Sequence, residues 1–321
     1  MKKFLLSMAI VAIAGAGTQA SAQTAPANAI NGKFSVAADK QVYFSQGNLQ
    51  YTQSTATWAF AEHQYDMIGM ENMLYNSETL NDKIDLFGWS GSTGTAQWGV
   101  GITNESAGYS GDFKDWGMNM GDGNTWYTLT LGEWNYLFNT RTNAAQLMGV
   151  ARINLNAGGT EYANGLILLP DTWVCPADVT FKTGVVEAGS GQTFGDFQTI
   201  ALSDWQKLET AGAVFLPAAG FRRIASVSGP QKRGCYWSAT KDGEYSAYYM
   251  GFYSNWIDLT RSLDRYYGLS VRLVQDVKAI GTGIAETATT GNVETRKVLR
   301  DGQILIQRGD QTYTVMGTTS K

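Results

Sequence analysis

Hydrophobic and polar positions alternate over short stretches of this chain, and turn residues separate the stretches. Phe34 and Val36, followed by Val42 and Phe44, repeat with the period of two that is typical of β-strands. Residues 88–125 are rich in Gly, Ser, Asn and Asp with scattered Trp, which predicts long loops. We therefore expect short strands joined by irregular connections in the first half of the chain.

Two segments have helical spacing instead. Thr130 and Glu133 stand three residues apart before an apolar stripe, which is the pattern of a capping box. Ser203 and Gln206 repeat this pattern, and Gly212 marks the end of the second predicted helix. Each helix has a tryptophan near its first turn, so we expect each to pack against the core through that ring.

The last third of the main body predicts an antiparallel sheet. Its strands are expected at residues 235–240, 244–253 and 269–275, where apolar side chains alternate. Residues 254–268 form a polar and aromatic connection between the second and third strands.

Composition shifts divide the chain further. Residues 279–294 are rich in Gly, Thr and Ala, which is typical of a linker, and two short β-stretches follow it. We predict a signal peptide at 1–22, a lead-in at 23–33, an α+β domain at 34–276, a linker at 277–296 and a C-terminal β-hairpin tail at 297–321.

The first residues have the pattern of a secretory signal peptide. Lys2 and Lys3 give a basic start, residues 4–17 are apolar, and Ala20 and Ala22 fit the small-residue cleavage pattern. The apolar run is shorter than the ~20 residues that a spanning helix needs. We therefore expect an exported protein, secreted or displayed at the cell surface, with no membrane-spanning segment.

Composition and charge exclude other classes. Charged residues make up 16% of the chain and aromatic residues 12%, the opposite of a disordered chain. Without the two lysines of the predicted leader, 22 basic and 28 acidic residues give a net charge of −6. An acidic body without clustered lysines and arginines excludes nucleic acid as a partner.

Cys175 and Cys235 allow two interpretations. In an oxidising compartment they can form a disulfide, which would close a loop of about 60 residues and contribute roughly 4 kcal/mol. The alternative is two separate buried thiols that pack as small apolar groups. A metal site is not expected from them, because the chain has a single His and no CxxC spacing.

Four runs resemble a family of exported Bacteroidetes-type proteins, the Fibrobacter succinogenes major paralogous domain and related C-type-lectin-like modules. They are residues 164–171 (NGLILLPD), 215–220 (FLPAAG), 236–240 (YWSAT) and 270–274 (SVRLV). Residues 130–141 (TLGEWNYLFNTR) are similar to the helix-opening segment of the formylglycine-generating-enzyme branch of that fold. The resemblance covers residues 34–276.

The resemblance implies an α+β, C-type-lectin-like fold: two short helices packed on small antiparallel sheets, with long loops and a ligand-binding loop between the last strands. The formylglycine-generating enzymes use a close cysteine pair late in the chain. No cysteine follows Cys235 here, so that oxidase chemistry is not expected. Residues 297–306 and 312–317 resemble C-terminal segments of cell-surface proteins, some of which are type IX sorting signals. This implies export machinery as a partner, and the alternative is an ordinary terminal hairpin.

Candidate catalytic groups lack a distinctive motif. His63 is the single imidazole, and neither a GxSxG motif nor a nucleophile pattern accompanies it, so a structural role is favoured. Acidic residues that could act as a pair in sugar hydrolysis, or contact calcium weakly, lie mostly in Gly- and Asn-rich loops. They are Asp112, Asp115, Asp122, Asp171, Asp258 and Asp264.

The connection after residue 252 is the best candidate site, because aromatic rings with short polar neighbours give large, adaptable contact surfaces. Its candidate ligand-binding residues are Tyr253, Asn255, Trp256, Asp258, Arg261, Asp264, Arg265, Tyr266 and Tyr267. The alternative is that several of these pack the core. Arg272 alternates with Val271 and Leu273, so we expect it to form a buried structural pair.

These observations predict an exported, non-enzymatic binding protein, lectin-like or adhesin-like, that presents this connection to a glycan or a surface protein. No cofactor is expected, with calcium as the one candidate ion. Two other functions stay open: a carboxylate-based hydrolase of surface glycans and a structural surface subunit.

Overall fold

A computed structural model describes residues 24–74, 82–101, 104–121, 125–185, 191–224, 226–277, 295–300, 303–308 and 311–314. The predicted signal peptide and almost all of the predicted linker lie outside these residues. The chain divides into two units, Met1–Lys278 and Ala279–Lys321.

The described chain is mixed α+β, with many short strands and few helices. Its strands are β1 (Phe34–Ala37), β2 (Lys40–Phe44), β3 (Leu49–Thr52), β4 (Thr57–Phe60), β5 (Lys83–Ile84), β6 (Tyr127–Thr128), β7 (Met148–Asn154), β8 (Tyr162–Leu168), β9 (Thr199–Ala201), β10 (Val214–Pro217), β11 (Phe221–Arg223), β12 (Ser226–Ser228), β13 (Gly234–Asp242), β14 (Ser246–Tyr253), β15 (Trp256–Asp258), β16 (Ser262–Asp264), β17 (Leu273–Asp276), β18 (Thr295–Arg300), β19 (Gln303–Arg308) and β20 (Gln311–Thr314).

The helical elements are short. The α-helices are α1 (Leu131–Asn135), α2 (Phe194–Phe197) and α3 (Leu202–Thr210), and a π-helical turn, Tyr136–Thr140, continues α1. Tight 3-10 turns occur at Gly69–Leu74, Gln97–Gly99, Ser106–Tyr109, Trp116–Asn119 and Ala144–Gln146.

Within the described residues the strands form small, mostly antiparallel sheets. Their orders are β1-β2-β17-β6, β10-β8-β7-β9, β4-β3-β5, the ribbon β11-β12, and β13-β14 with both β15 and β16 on the free edge of β14. We call the last of these the late sheet. The pairing of β7 with β9 is parallel, whereas the pairs of the late sheet are antiparallel.

The sheet β10-β8-β7-β9 is buried on both faces. Leu166 and Leu168 of β8 pack in one hydrophobic cluster with Trp134 of α1, while Ile167 packs in another cluster with Trp205 of α3. Successive residues of a strand point to opposite faces, so an unbroken apolar run fills both layers. The two predicted helices therefore each bury a tryptophan, one on each side of this sheet.

The predicted capping box of α1 is confirmed, and that of α3 is wrong. The Thr130 hydroxyl accepts a hydrogen bond from the Glu133 backbone N–H at 3.2 Å, and the Glu133 carboxylate accepts from the Thr130 N–H at 2.8 Å. Helix α3 begins at Leu202, so Ser203 lies inside its first turn and no side chain caps it. Strand β9 ends at Ala201 and the helix begins at the next residue, so the start of the helix precedes Ser203.

The third late strand is shorter than predicted and belongs to another sheet. Strand β17 pairs with β2 and β6. Residues before it make single bridges only, Leu269 with Phe87 and Ser270 with Tyr236. The edge of β14 is taken instead by β15 and β16, which form within the connection predicted to be a loop.

The C-terminal unit is a three-stranded antiparallel sheet, β18-β19-β20, where the sequence predicted a two-stranded hairpin. The pairing runs from Thr295 opposite Arg308 to Arg300 opposite Gln303, and then from Leu305 opposite Thr314. Three strands bury more than a hairpin does, and Leu305 of the middle strand is buried.

None of the helices in the described part of the chain combines the length and the apolar character that a bilayer crossing requires.

Arg272 is fully buried, as predicted, but its partners are neutral oxygens in place of a carboxylate. Its guanidinium donates to the Gln64 side-chain oxygen at 2.6 Å and, at longer range, to the carbonyl of Phe215 and the side chain of Asn48. Burial lowers the pKa of Arg272 to about 10, so the group stays charged at neutral pH. Gln64 also accepts from the Phe215 N–H at 2.9 Å, which links this network to β10.

Asp85 is a buried acidic residue. Its carboxylate accepts hydrogen bonds from the Ile68 N–H at 2.9 Å and from the Asn72 amide at 2.8 Å. Burial nevertheless dominates and raises the pKa of Asp85 to about 6. Folding therefore favours the neutral acid more than the unfolded chain does, although the carboxylate is still the main form at pH 7.

This shift predicts a pH dependence of stability. The pKa of Asp85 is higher in the folded than in the unfolded chain. The side chain therefore contributes its full stabilisation, roughly 3 kcal/mol, below about pH 4, and this contribution is lost as the pH rises through about 6. Urea denaturation at pH 4, 5, 6 and 7 should show the free energy of unfolding of the wild type falling relative to Asp85→Asn by this amount. The exposed Asp112→Asn change is the control, and parallel curves for wild type and Asp85→Asn would contradict the prediction.

Candidate ligand-binding site

The predicted site connection folds back on β14. Tyr253, the last residue of β14, stands opposite Trp256 of β15, and their ring centroids are 5.1 Å apart at 84°. Asn255 lies in the tight turn between these strands and is half-buried. Edge-to-face contact is a favoured arrangement of aromatic rings, so this turn holds both rings in fixed orientations.

Arg261 and Asp258 support the far side of Trp256. Arg261 lies over the indole at 5.1 Å and its Nε donates to an Asp258 oxygen at 2.7 Å. Burial on its own would raise the pKa of Asp258, but hydrogen bonds from the Thr260 hydroxyl and N–H, and from Arg261, hold the pKa below its usual value. Asp258 is thus kept ionised as a support for Arg261.

Arg233 joins this pair of rings to the β11-β12 ribbon. Its guanidinium lies 3.9 Å from the centre of the Phe221 ring and 5.8 Å from that of Tyr253, and it donates to the Tyr253 hydroxyl at 2.9 Å. A cation over two ring faces is attracted to both by their quadrupoles. One side chain therefore bridges two aromatic groups from different sheets.

Two further tyrosines extend the row beyond Phe221. The Tyr267 ring lies 5.6 Å from Phe221, and the Tyr266 ring lies 5.1 Å from Tyr267. Burial and the neighbouring Asp264 raise the pKa of Tyr266, and a hydrogen bond with Arg223 acts in the opposite direction. Arg223 also lies over Tyr267 at 5.7 Å.

These side chains form one continuous row that we call the ladder. Every neighbour along it is within 6 Å, and all members are half-buried except Arg261, which is exposed. In order they are Tyr266, Tyr267, Phe221, Arg233, Tyr253, Trp256 and Arg261. The structure thus brings together five of the predicted site residues with two that the sequence did not indicate.

Sequence reasoning missed Phe221 and Arg233 because they precede the connection predicted at residues 254–268 by 33 and 21 residues. The available signal was local: Phe221 follows the resemblance run that ends at Gly220, and Arg233 directly precedes the predicted strand beginning at Cys235. Both residues are next to predicted buried segments in the sequence, which indicates a position at the edge of the core.

One end of the ladder borders a groove of about 550 Å³. Phe221, Arg223, Ile224, Ser226, Ser228 and Tyr267 line it. Ile224, at the turn of the ribbon, has a φ of 54°, a left-handed conformation that a β-branched side chain rarely adopts. Strained residues of this kind cluster at binding sites and clamps.

Arg265 is not available to a ligand, which corrects its assignment to the binding loop. Its guanidinium is buried over the Trp89 ring at 4.3 Å. It donates to the carbonyls of Gly111 at 2.9 Å, Gly243 at 3.0 Å and Tyr109 at 3.3 Å. Arg265 therefore holds the backbone just before Tyr266 against the segments that contain these carbonyls, and we call this set of contacts the tie.

The other candidate acids have structural partners. Asp171 pairs with the buried Arg141 at 3.2 Å, and Asp112 pairs with Lys241 at 3.0 Å. Asp115 accepts from the N–H and hydroxyl of Thr128 and from the Gly117 N–H. Asp264 of β16 is 3.4 Å from the Ser246 hydroxyl, and Asp122 lies outside the described residues.

His63 lies in an exposed turn. Its ring stacks on Tyr65 with centroids 5.0 Å apart, and its Nδ1 is 3.3 Å from an Asp66 oxygen. The Asp66 carboxylate also accepts from the His63 N–H, which closes the turn.

Both cysteines are free, so the disulfide interpretation is wrong for this structure. Cys235 is buried on β13 in the cluster that contains Trp237, whereas Cys175 lies against the cluster of Trp205. The two thiols thus belong to different parts of the core. Burial raises the pKa of Cys235 to about 12, which keeps it a neutral thiol.

In the part of the chain that the structure describes, no three His, Cys, Asp or Glu side chains assemble into a metal-binding group.

Residues 180–274 match the family model of a domain of unknown function, DUF8237. The DUF8237 segment contains every residue of the ladder and all lining residues of the groove. No curated protein and no solved structure matches the chain.

The two roles assigned to neighbouring arginines predict different effects on stability. Arg265→Met leaves several buried carbonyls without a donor, so the free energy of unfolding should fall by about 3–5 kcal/mol. Arg261→Met removes one exposed ion pair and should cost about 1 kcal/mol or less. Chemical denaturation of both variants measures the difference, and equal losses would show that Arg265 is not the tie described above.

Proposed function

We propose that this protein is an exported, non-enzymatic binding protein that presents the ladder to a glycan at the cell surface. The observation that carries the proposal is the ladder itself, a row of aromatic rings and guanidinium groups that is half-buried and oriented by contacts within the row. Sugar rings stack on tyrosine and tryptophan faces, and rings that are already held in place lose little entropy on binding.

The roles of the acidic residues favour binding over hydrolysis. A glycosidase needs two carboxyl groups that face each other across the sugar and are free to exchange protons. Asp258 is occupied by Arg261 and Thr260, and Asp171 by Arg141. These two groups serve as supports for arginine side chains, and the aromatic faces of the ladder are the surface that we propose for binding.

The fold and the location are part of the same proposal. A C-type-lectin-like arrangement is supported by the two helices that bury Trp134 and Trp205 on opposite faces of one sheet, and by the position of the ladder on the edge of the late sheet. Residues 1–22 would direct export, and residues 297–321 would contact the export machinery. A protein ligand at the same surface is the alternative to a glycan.

The ladder predicts a specific loss of binding. Trp256→Ala removes the largest ring of the row and should weaken the binding of a glycan found on an array by at least about tenfold, because buried aromatic contacts carry much of the binding energy at such sites. Titration calorimetry of the mature chain with that glycan measures the change.

Tyr245→Ala is the matched control, because Tyr245 is an exposed aromatic residue outside the ladder. Its affinity should stay within about twofold of wild type. Equal affinities of wild type and folded Trp256→Ala protein would remove the ladder as the binding surface.

A further inference from the structure

The β11-β12 ribbon has one buried face and one open face. Phe221 stands opposite Ser228, and Arg223 opposite Ser226, whereas the pair between them, Arg222 and Val227, is buried. Side chains of a strand alternate between its two faces, and opposite residues of a pair share a face. One aromatic ring, one guanidinium and two hydroxyl groups therefore project together on the open side.

Tyr267 completes this open face into the groove. Its ring meets the Phe221 ring at an interplanar angle of 32°, and both line the groove together with Ile224. The volume of about 550 Å³ lies within the range of small-molecule sites, roughly 300–1,000 Å³. Aromatic faces with a few convergent polar groups are the usual lining of such sites.

Two arginines lie at the groove and give it a positive charge, and the acid on this side, Asp264, interacts with Tyr266, which also interacts with Arg223. The ion pairs of the described residues include neither Arg223 nor Arg233, while Arg261 and Arg141 each have an aspartate. Arg223 is exposed, and Arg233 lies against the Phe221 ring that lines the groove. Two guanidinium groups thus flank Phe221 in a chain whose net charge is negative.

We propose that this groove binds a uronic-acid saccharide, with Arg223 pairing with the sugar carboxylate and Phe221 and Tyr267 contacting the sugar ring. A planar guanidinium matches a carboxylate through two parallel hydrogen bonds, and the Ser226 and Ser228 hydroxyls are placed to exchange hydrogen bonds with sugar hydroxyls. The inference rests on the proposed glycan-binding function and adds the chemical class of the ligand.

The backbone of the ribbon supports the same assignment. Ile224 is held at a φ of 54°, and its carbonyl accepts a hydrogen bond from Arg222 at 3.1 Å. This contact holds the backbone next to Arg223. Arg223 and Ser226 also stand opposite each other in the register of the ribbon, which sets the spacing of their side chains.

The test uses the mature full-length chain and pairs of trisaccharides. Each galacturonate, glucuronate or mannuronate trisaccharide is compared by titration calorimetry with its carboxyl-reduced, neutral counterpart. We expect at least one acidic trisaccharide to bind about tenfold or more tightly than its neutral counterpart in low salt, with the difference shrinking as salt is added.

Variants locate the charge recognition. Arg223→Gln should abolish the preference for the acidic sugar while leaving the affinity for the neutral one within about twofold, and Arg223→Lys should retain part of the preference. Lys241→Gln is the control, since Lys241 is an exposed cation outside the ladder and the groove that is already paired with Asp112, and this variant should keep the preference.

The outcomes separate this inference from the proposed function. If no acidic trisaccharide is preferred, or if folded Arg223→Gln keeps the preference, the inference is wrong. If neutral sugars still bind in that case and Trp256→Ala weakens them, the glycan-binding function stands without it. If neither the trisaccharides nor any glycan on the array binds, both proposals fail.

Discussion

The structure depends on buried guanidinium groups that satisfy the backbone of its irregular segments. Arg141, Arg222, Arg265 and Arg272 are each at most 4% exposed, and most of their hydrogen bonds go to carbonyl oxygens. A chain of short strands and long connections leaves many carbonyls without a sheet partner, and such groups are costly when buried. One arginine supplies several hydrogen-bond donors in a fixed plane. Each of these residues therefore satisfies carbonyl groups that sheet pairing would satisfy in a regular structure.

The ladder is built from the sequence neighbours of buried anchors. Tyr253 follows the core residue Phe252, Phe221 precedes the buried Arg222, and Tyr266 follows the buried Arg265. Alternation along the extended backbone of β14 and β11 turns one residue inward and the next outward, whereas Tyr266 lies in the turn that follows β16. The buried neighbours therefore set the spacing of the half-buried rings, and the contacts within the row orient them.

Local patterns in the sequence were sufficient for part of this architecture. The capping box at Thr130, the helix ending near Gly212 and the strands 235–240 and 244–253 each depend on residues a few positions apart. The pairing of β17 with β2 and the contact of Arg233 with Phe221 depend on tertiary packing, which no short window contains. The sequence accordingly indicated the ladder residues Tyr253 and Trp256, which lie in one continuous segment, and missed Phe221 and Arg233, which lie outside it.

The tie made by Arg265 makes the ladder dependent on a distant part of the chain. Tyr109 and Gly111 offer their carbonyls to this guanidinium from more than 150 positions upstream, and Tyr266 and Tyr267 directly follow it. A substitution that shifts the upstream loop would move the two tyrosine rings without altering either of them. The shape of this surface can thus change through residues that are not part of it, and a comparison restricted to the surface residues would overlook the change.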